Sequence, residues 1–145
     1  MKNQHGFSLI EMLLSVMIIG MITAISVPLY NSFLARNDLD ITSQQIAEAF
    51  RRAQVYARGV KNDSAWSVEV QTSAITLFKG TVFASRDTTY DETIALPGSV
   101  TASGLSEVRF ALLTGLPNTT GTVTLTSNAS ETKTVTVNAE GMVNY

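Results

Sequence analysis

A chain of 145 residues with no cysteine has room for one ordinary domain and an appendage, and it cannot form disulfides, thiolate metal sites or cysteine nucleophiles. Ten basic against 12 acidic side chains leave a net charge of −2, which is a poor footprint for a nucleic-acid binder. Past residue 60 the composition shifts to Thr, Ser, Val and Gly with sparse charge, which favours strands.

The first element is an apolar run from Phe7 to Val27, long enough to span a bilayer as a helix. Lys2 precedes it and favours a cytoplasmic N-terminus with the rest of the chain outside. Glu11 is the one charge inside the run, and a charge at a membrane centre costs about 2.5–3.5 kcal/mol even on lenient scales. A secretory signal peptide cut near Ala24 and Ser26 explains the basic start and the small residues. A plain anchor explains the length. Neither explains Glu11. Ser8-x-x-Glu11 also fits a capping box, a local role available in any helix.

Gly6-Phe7-Ser8-Leu9-Ile10-Glu11 resembles the type III signal sequence of type IV prepilins, and the resemblance extends to Pro28-Leu29-Tyr30. It implies a leader of residues 1–6, cut between Gly6 and Phe7 by a prepilin peptidase that then methylates the Phe7 amine. Glu11 becomes the fifth residue of the cut chain, near a newly made amine. Intramembrane carboxylates are usually paired. The resemblance implies that Glu11 and Phe7 pair, within a subunit or across to a neighbour, and so set axial register during assembly.

Pro28 lacks an N–H and, with Gly20 upstream, predicts a kink or local melting between Thr23 and Pro28. From Phe33 to Arg58 the spacing predicts an amphipathic helix. Leu39, Ile46, Ala49, Phe50, Ala53, Tyr56 and Ala57 fall on one face. Glu48 and Arg52 form an i,i+4 pair, and Gly59 suits a C-cap. Arg51, Arg52, Arg58 and Lys61 make a basic cluster, read either as a contact for anionic lipid or nucleic acid or as a solvated helix end.

Alternation predicts a hairpin from Trp66, Val68, Val70 to Ile75, Leu77, then strands at Thr93 to Leu96, Val108 to Leu112, Val123 to Leu125, Val135 to Val137 and Met142 to Tyr145. Six to eight short strands after one helix make the fold class α+β, a pilin-like helix with a hydrophobic first half packed on an antiparallel sheet. The domain reading is a leader at 1–6, an apolar helix half at 7–29 and a head at 30–145. Within the head the helix runs to about 59 and the sheet from about 64 to 145.

Phe50-Arg51-Arg52-Ala53-Gln54 with the Trp66-x-Val68-x-Val70 strand, and Val135-x-Val137-Asn138-x-x-Gly141-x-Val143, are similar to the minor pseudopilin H and FimT-like families. These are low-abundance subunits of type II secretion pseudopili and type IV pili. Some FimT-like members bind DNA through arginines after a C-terminal glycine. Here Gly141 is followed by Met142-Val143-Asn144-Tyr145, with no basic residue. The absence of a disulfide loop mildly favours a minor pilin or pseudopilin.

Arg86 to Glu92 is a polar loop whose Asp87, Asp91 and Glu92 could hold calcium, although the spacing is not that of a known calcium loop. Asn128-Ala129-Ser130 matches a short glycosylation pattern that recurs by chance. With His5 removed by the expected cut, Ser–His catalysis is absent, and no enzyme is expected. The implied partners are the prepilin peptidase and methyltransferase, other pilin or pseudopilin subunits, an inner-membrane assembly platform and the bilayer, with no cofactor beyond the calcium candidate. The implied location is the inner membrane, single-pass, and then a pilus or pseudopilus. The competing readings are a filament-tip adhesin or DNA-capturing minor pilin, and a plain membrane-anchored β-rich binding domain.

Overall fold

The computed structural model describes residues 6–145, with the side chains at 26–29 and 31 outside that description. α1 (Leu9–Arg58) is a helix of 50 residues. Eight strands follow: β1 (Trp66–Val70), β2 (Ala74–Lys79), β3 (Glu92–Ala95), β4 (Val100–Gly104), β5 (Glu107–Phe110), β6 (Gly121–Ser127), β7 (Thr132–Val137) and β8 (Val143–Asn144). By its contacts the chain divides into two units, one ending at Leu34 and the other running from Ala35 to Tyr145.

In the first unit the apolar side chains of α1 are exposed on every side, from Leu9 and Ile10 through Met17 and Ile18 to Ile25. The helical backbone is continuous through Gly20 and Pro28. The local melting expected between Thr23 and Pro28 is not seen, since every residue there is helical.

In the second unit one stripe of α1 is buried. Leu39, Ile46, Ala49, Phe50, Ala53 and Ala57 are all in the core, and Tyr56 packs at its margin. These positions recur three and four residues apart, which lines them along one face. Three alanines and few large side chains let the sheets come close. Opposite them lie Trp66, Val68, Val70, Ile75, Leu77, Val108 and Phe110 from one sheet, and Val100, Ala102, Val123, Leu125, Val135, Val137 and Val143 from another. Full burial of each large side chain contributes roughly 1.5–3 kcal/mol before the entropy of ordering the chain.

Two four-stranded antiparallel sheets are present where one was expected, in the orders β3-β2-β1-β5 and β4-β6-β7-β8. A backbone bond joins them: Ala102 N–H of β4 donates to Thr72 O in the β1–β2 turn at 3.1 Å. The β1/β2 and β6/β7 hairpins form where expected, with Val68 opposite Leu77 and Val123 opposite Val135. Burial alternates in β6 and β7 but not in β1 and β2, where Ser67, Thr76 and Phe78 are buried as well. β4 was not foreseen, because Val-Thr-Ala-Ser-Gly offers two small buried residues rather than a strong apolar alternation.

A second correction concerns the end of α1. Gly59 was expected to supply the left-handed cap, but the positive φ falls on Val60 at 53°. Gly59 has another use, since a β-carbon there would sit 3.1 Å from Val55 O.

Candidate functional site

The N-terminal segment is built around Ser8. Gly6, Phe7 and Ser8 precede the helix, and α1 begins at Leu9. Ser8 is the N-cap. Its Oγ accepts from Glu11 N–H at 3.3 Å, and its carbonyl accepts from Met12 N–H at 3.2 Å. This is one half of the expected capping box. Among the described residues nothing lies within 4 Å of where a Gly6 side chain would start, and Phe7 is 79 % exposed. Among those residues none covers the Gly6–Phe7 bond. Among the described residues the Glu11 carboxylate has no ion-pair partner.

Two hydroxyls in the apolar helix are tied back to it. Ser15 Oγ donates to Glu11 O at 2.7 Å and Thr23 Oγ1 to Ile19 O at 2.8 Å. Such bonds to the preceding turn hide hydroxyls that would otherwise need water. An apolar surface this large and continuous marks a contact with membrane or protein. Among the described residues no helix is long and apolar enough to cross a membrane. The expected span of residues 7–27 takes in side chains at 26 and 27, which lie outside the described residues.

The basic cluster is dispersed among structural contacts. Arg51 donates to Val143 O at 3.2 Å and lies over the Tyr145 ring. Arg52 pairs with Glu92 and, at 3.8 Å, with Glu48. Arg58 Nε donates to Thr114 O at 3.1 Å. Lys61 Nζ lies 3.5 Å from the Tyr56 ring centre and 5.0 Å from that of Trp66. Each cation holds a loop or strand to the end of α1. Neither sequence reading, a ligand contact or a solvated helix end, named these partners.

Gln54 entered the sequence reading as the last residue of the Phe50-to-Gln54 motif, with no role given to it. Its amide donates to Gly115 O at 3.1 Å and Glu140 O at 3.2 Å, joining the β5–β6 and β7–β8 connections to α1. Gly115 and Gly141 have φ of 63° and 79°, and a β-carbon at either would collide with Arg58 or Gln54 respectively. The signal was available in Gly141, which the sequence places in a turn. The partner on the helix was not.

The calcium candidates face three ways. Asp87 caps a short 3-10 turn at Thr88–Tyr90, where hydrogen bonds from Thr89 hold its carboxyl below the usual range. Asp91 takes Arg86 at 2.8 Å, and Glu92 takes Arg52. Among the described residues no three His, Cys, Asp or Glu side chains converge to hold a metal ion.

Two comparisons bear on this geometry. Residues 1–27 match the family model of the prokaryotic N-terminal methylation motif. The fold matches the minor pseudopilin EpsH from the type 2 secretion system of Vibrio cholerae with a TM-score of 0.57. That match covers 74 % of this chain and 94 % of EpsH at 15 % identity, so what it establishes is the fold. The motif match covers residues 1–27 and the structural match is to the fold, so the two likenesses fall on different parts of the chain. The methylation motif falls on the exposed apolar helix, and the α+β head carries the pseudopilin likeness.

Proposed function

We propose that the chain is a minor pilin or pseudopilin, a structural subunit of a type II secretion pseudopilus or a type IV pilus. It is held in the inner membrane by residues 7–27 with its head outside, and is cut between Gly6 and Phe7 by a prepilin peptidase. It is then methylated on the Phe7 amine and packed through α1 against other subunits on an assembly platform. The observation that carries this reading is the apolar first half of α1, exposed on all sides and preceded by a Gly6–Phe7 bond that none of the described residues covers. An all-round apolar helix has to be covered by lipid or by protein, and a subunit passing from membrane to filament uses both.

A head held together by internal bonds, with Arg51, Arg52, Arg58 and Lys61 engaged in them, suits a structural role rather than capture of nucleic acid. The N-terminus of the mature protein tests the proposal. Purification from a host with a prepilin peptidase, followed by intact mass and N-terminal sequencing, should return methylated Phe7. A chain starting at Val27 would instead indicate conventional secretion, and one starting at Met1 an unprocessed anchor.

A further inference from the structure

We infer that Ser8 is a positioning residue for the cut between Gly6 and Phe7: it stops α1 just short of the scissile bond and keeps the Gly6 carbonyl out of the helix. This rests on the processing reading above. In an α-helix each carbonyl accepts from the N–H four residues later. Were α1 one turn longer, Gly6 O would be the acceptor for Ile10 N–H, and the carbonyl to be attacked would lie inside the ladder. In the structure the first such bond runs from Met12 N–H to Ser8 O, at 3.2 Å. Ser8 holds the Glu11 N–H twice, through its carbonyl at 3.1 Å and its Oγ at 3.3 Å, so that this donor has partners at residue 8 and does not need the Phe7 carbonyl one residue upstream. The need for a partner is strongest where water is scarce, because an unpaired N–H in hydrocarbon is costly.

The step served is hydrolysis. Water adds to the Gly6 carbonyl carbon, the C–N bond to Phe7 breaks, and the Phe7 nitrogen takes a proton to leave as an amine. Gly6 is left with a carboxylate. Ser8 touches none of these atoms and acts only through the start of the helix.

Ser8→Ala, Ser8→Gly and Ser8→Asn separate this role from a contact between the hydroxyl and the peptidase. Alanine is the best helix former and a poor cap. Glycine and asparagine both hold a helix start, one without a side chain and one with a different one. The full-length chain is co-expressed with a prepilin peptidase and cleavage followed by pulse-labelling. Ser8→Ala should be cut about fivefold more slowly than wild type, with Ser8→Gly and Ser8→Asn within about twofold of it. Amide exchange on the uncut chain in detergent should show Ile10 N–H newly protected in Ser8→Ala. Cleavage of Ser8→Ala at the wild-type rate or faster overturns the inference, as does a Ser8→Gly defect as large as that of Ser8→Ala. If the wild-type chain is not cut at all, the processing reading fails and takes this inference with it.

Discussion

The Gln54 side chain occupies the space where a Gly141 side chain would have to start. The glycine's left-handed backbone, φ 79°, brings the Glu140 carbonyl to the Gln54 amide, which also holds Gly115 O. One helix residue thus fixes two connections that are far apart in sequence.

Gly141→Ala should therefore destabilise the head. The left-handed backbone alone costs an L-residue roughly 1–2 kcal/mol, and displacing the Gln54 amide removes two bonds of about 1 kcal/mol each. Gln54→Ala should lose the second part only. The double variant should be less destabilised than the sum of the two, since the clash vanishes with the amide. Urea unfolding of the full chain in detergent, followed by Trp66 fluorescence, measures all three. Strict additivity would mean that the two residues do not act on each other.

Most of the helical half of this head was legible in the sequence. Leu39, Ile46, Phe50 and Ala53 recur at helical spacing because one side of α1 must be dry. The hairpins were legible for the same reason, with period two replacing the helical period. The division into two sheets was not. Alternation tells that the Val68 and Val123 faces are buried, but it does not say that the opposite face of β1 and β2 is buried too, nor which strand lies beside which. The partners of Arg51 and Arg58 were equally hidden, because they are backbone carbonyls of Val143 and Thr114, and every residue has one.

Stability should also depend on Glu69. It sits directly opposite Glu107 on the neighbouring strand. Burial pushes its carboxyl above the usual value of 4.5, Glu107 pushes it further, and Arg86 opposes the shift. The folded chain then holds this proton more tightly than the unfolded one. The group's contribution to stability is fully present below about pH 4.5 and is lost as pH rises through the raised folded value. Glu69→Gln should raise the melting temperature at pH 7 and flatten its dependence on pH above 4.5, with little effect below. An unchanged or lower melting temperature at pH 7 would count against the account.

Calcium should have no effect on the head. A calcium ion takes six to eight oxygen ligands, whereas Asp91 and Glu92 are already committed to arginines and Asp87 to Thr89. Millimolar calcium, or a chelator, should leave the melting temperature within about 1 °C, since a ligand stabilises only by binding the folded form. A clear rise with calcium, abolished by Asp91→Asn, would restore the loop as a site.

Glu11 is the test of assembly. A carboxylate amid exposed apolar side chains gains most from a partner, and attraction between unit charges strengthens several-fold as the dielectric falls from that of water. The proposed cut after Gly6 would create an amine at Phe7, four residues away in sequence. Glu11→Ala leaves the Ser8 side-chain cap in place, because that cap uses the backbone N–H of residue 11. Processing should therefore continue, and mass spectrometry should find methylated Phe7 in the membrane fraction. Incorporation into filaments, read from the sheared or cross-linked fraction, should fall at least tenfold. Glu11→Gln, which keeps the shape and removes the charge, should behave like Glu11→Ala if charge is what matters. Normal incorporation of Glu11→Gln would mean that the shape of the side chain, not its pairing, is what a neighbour reads.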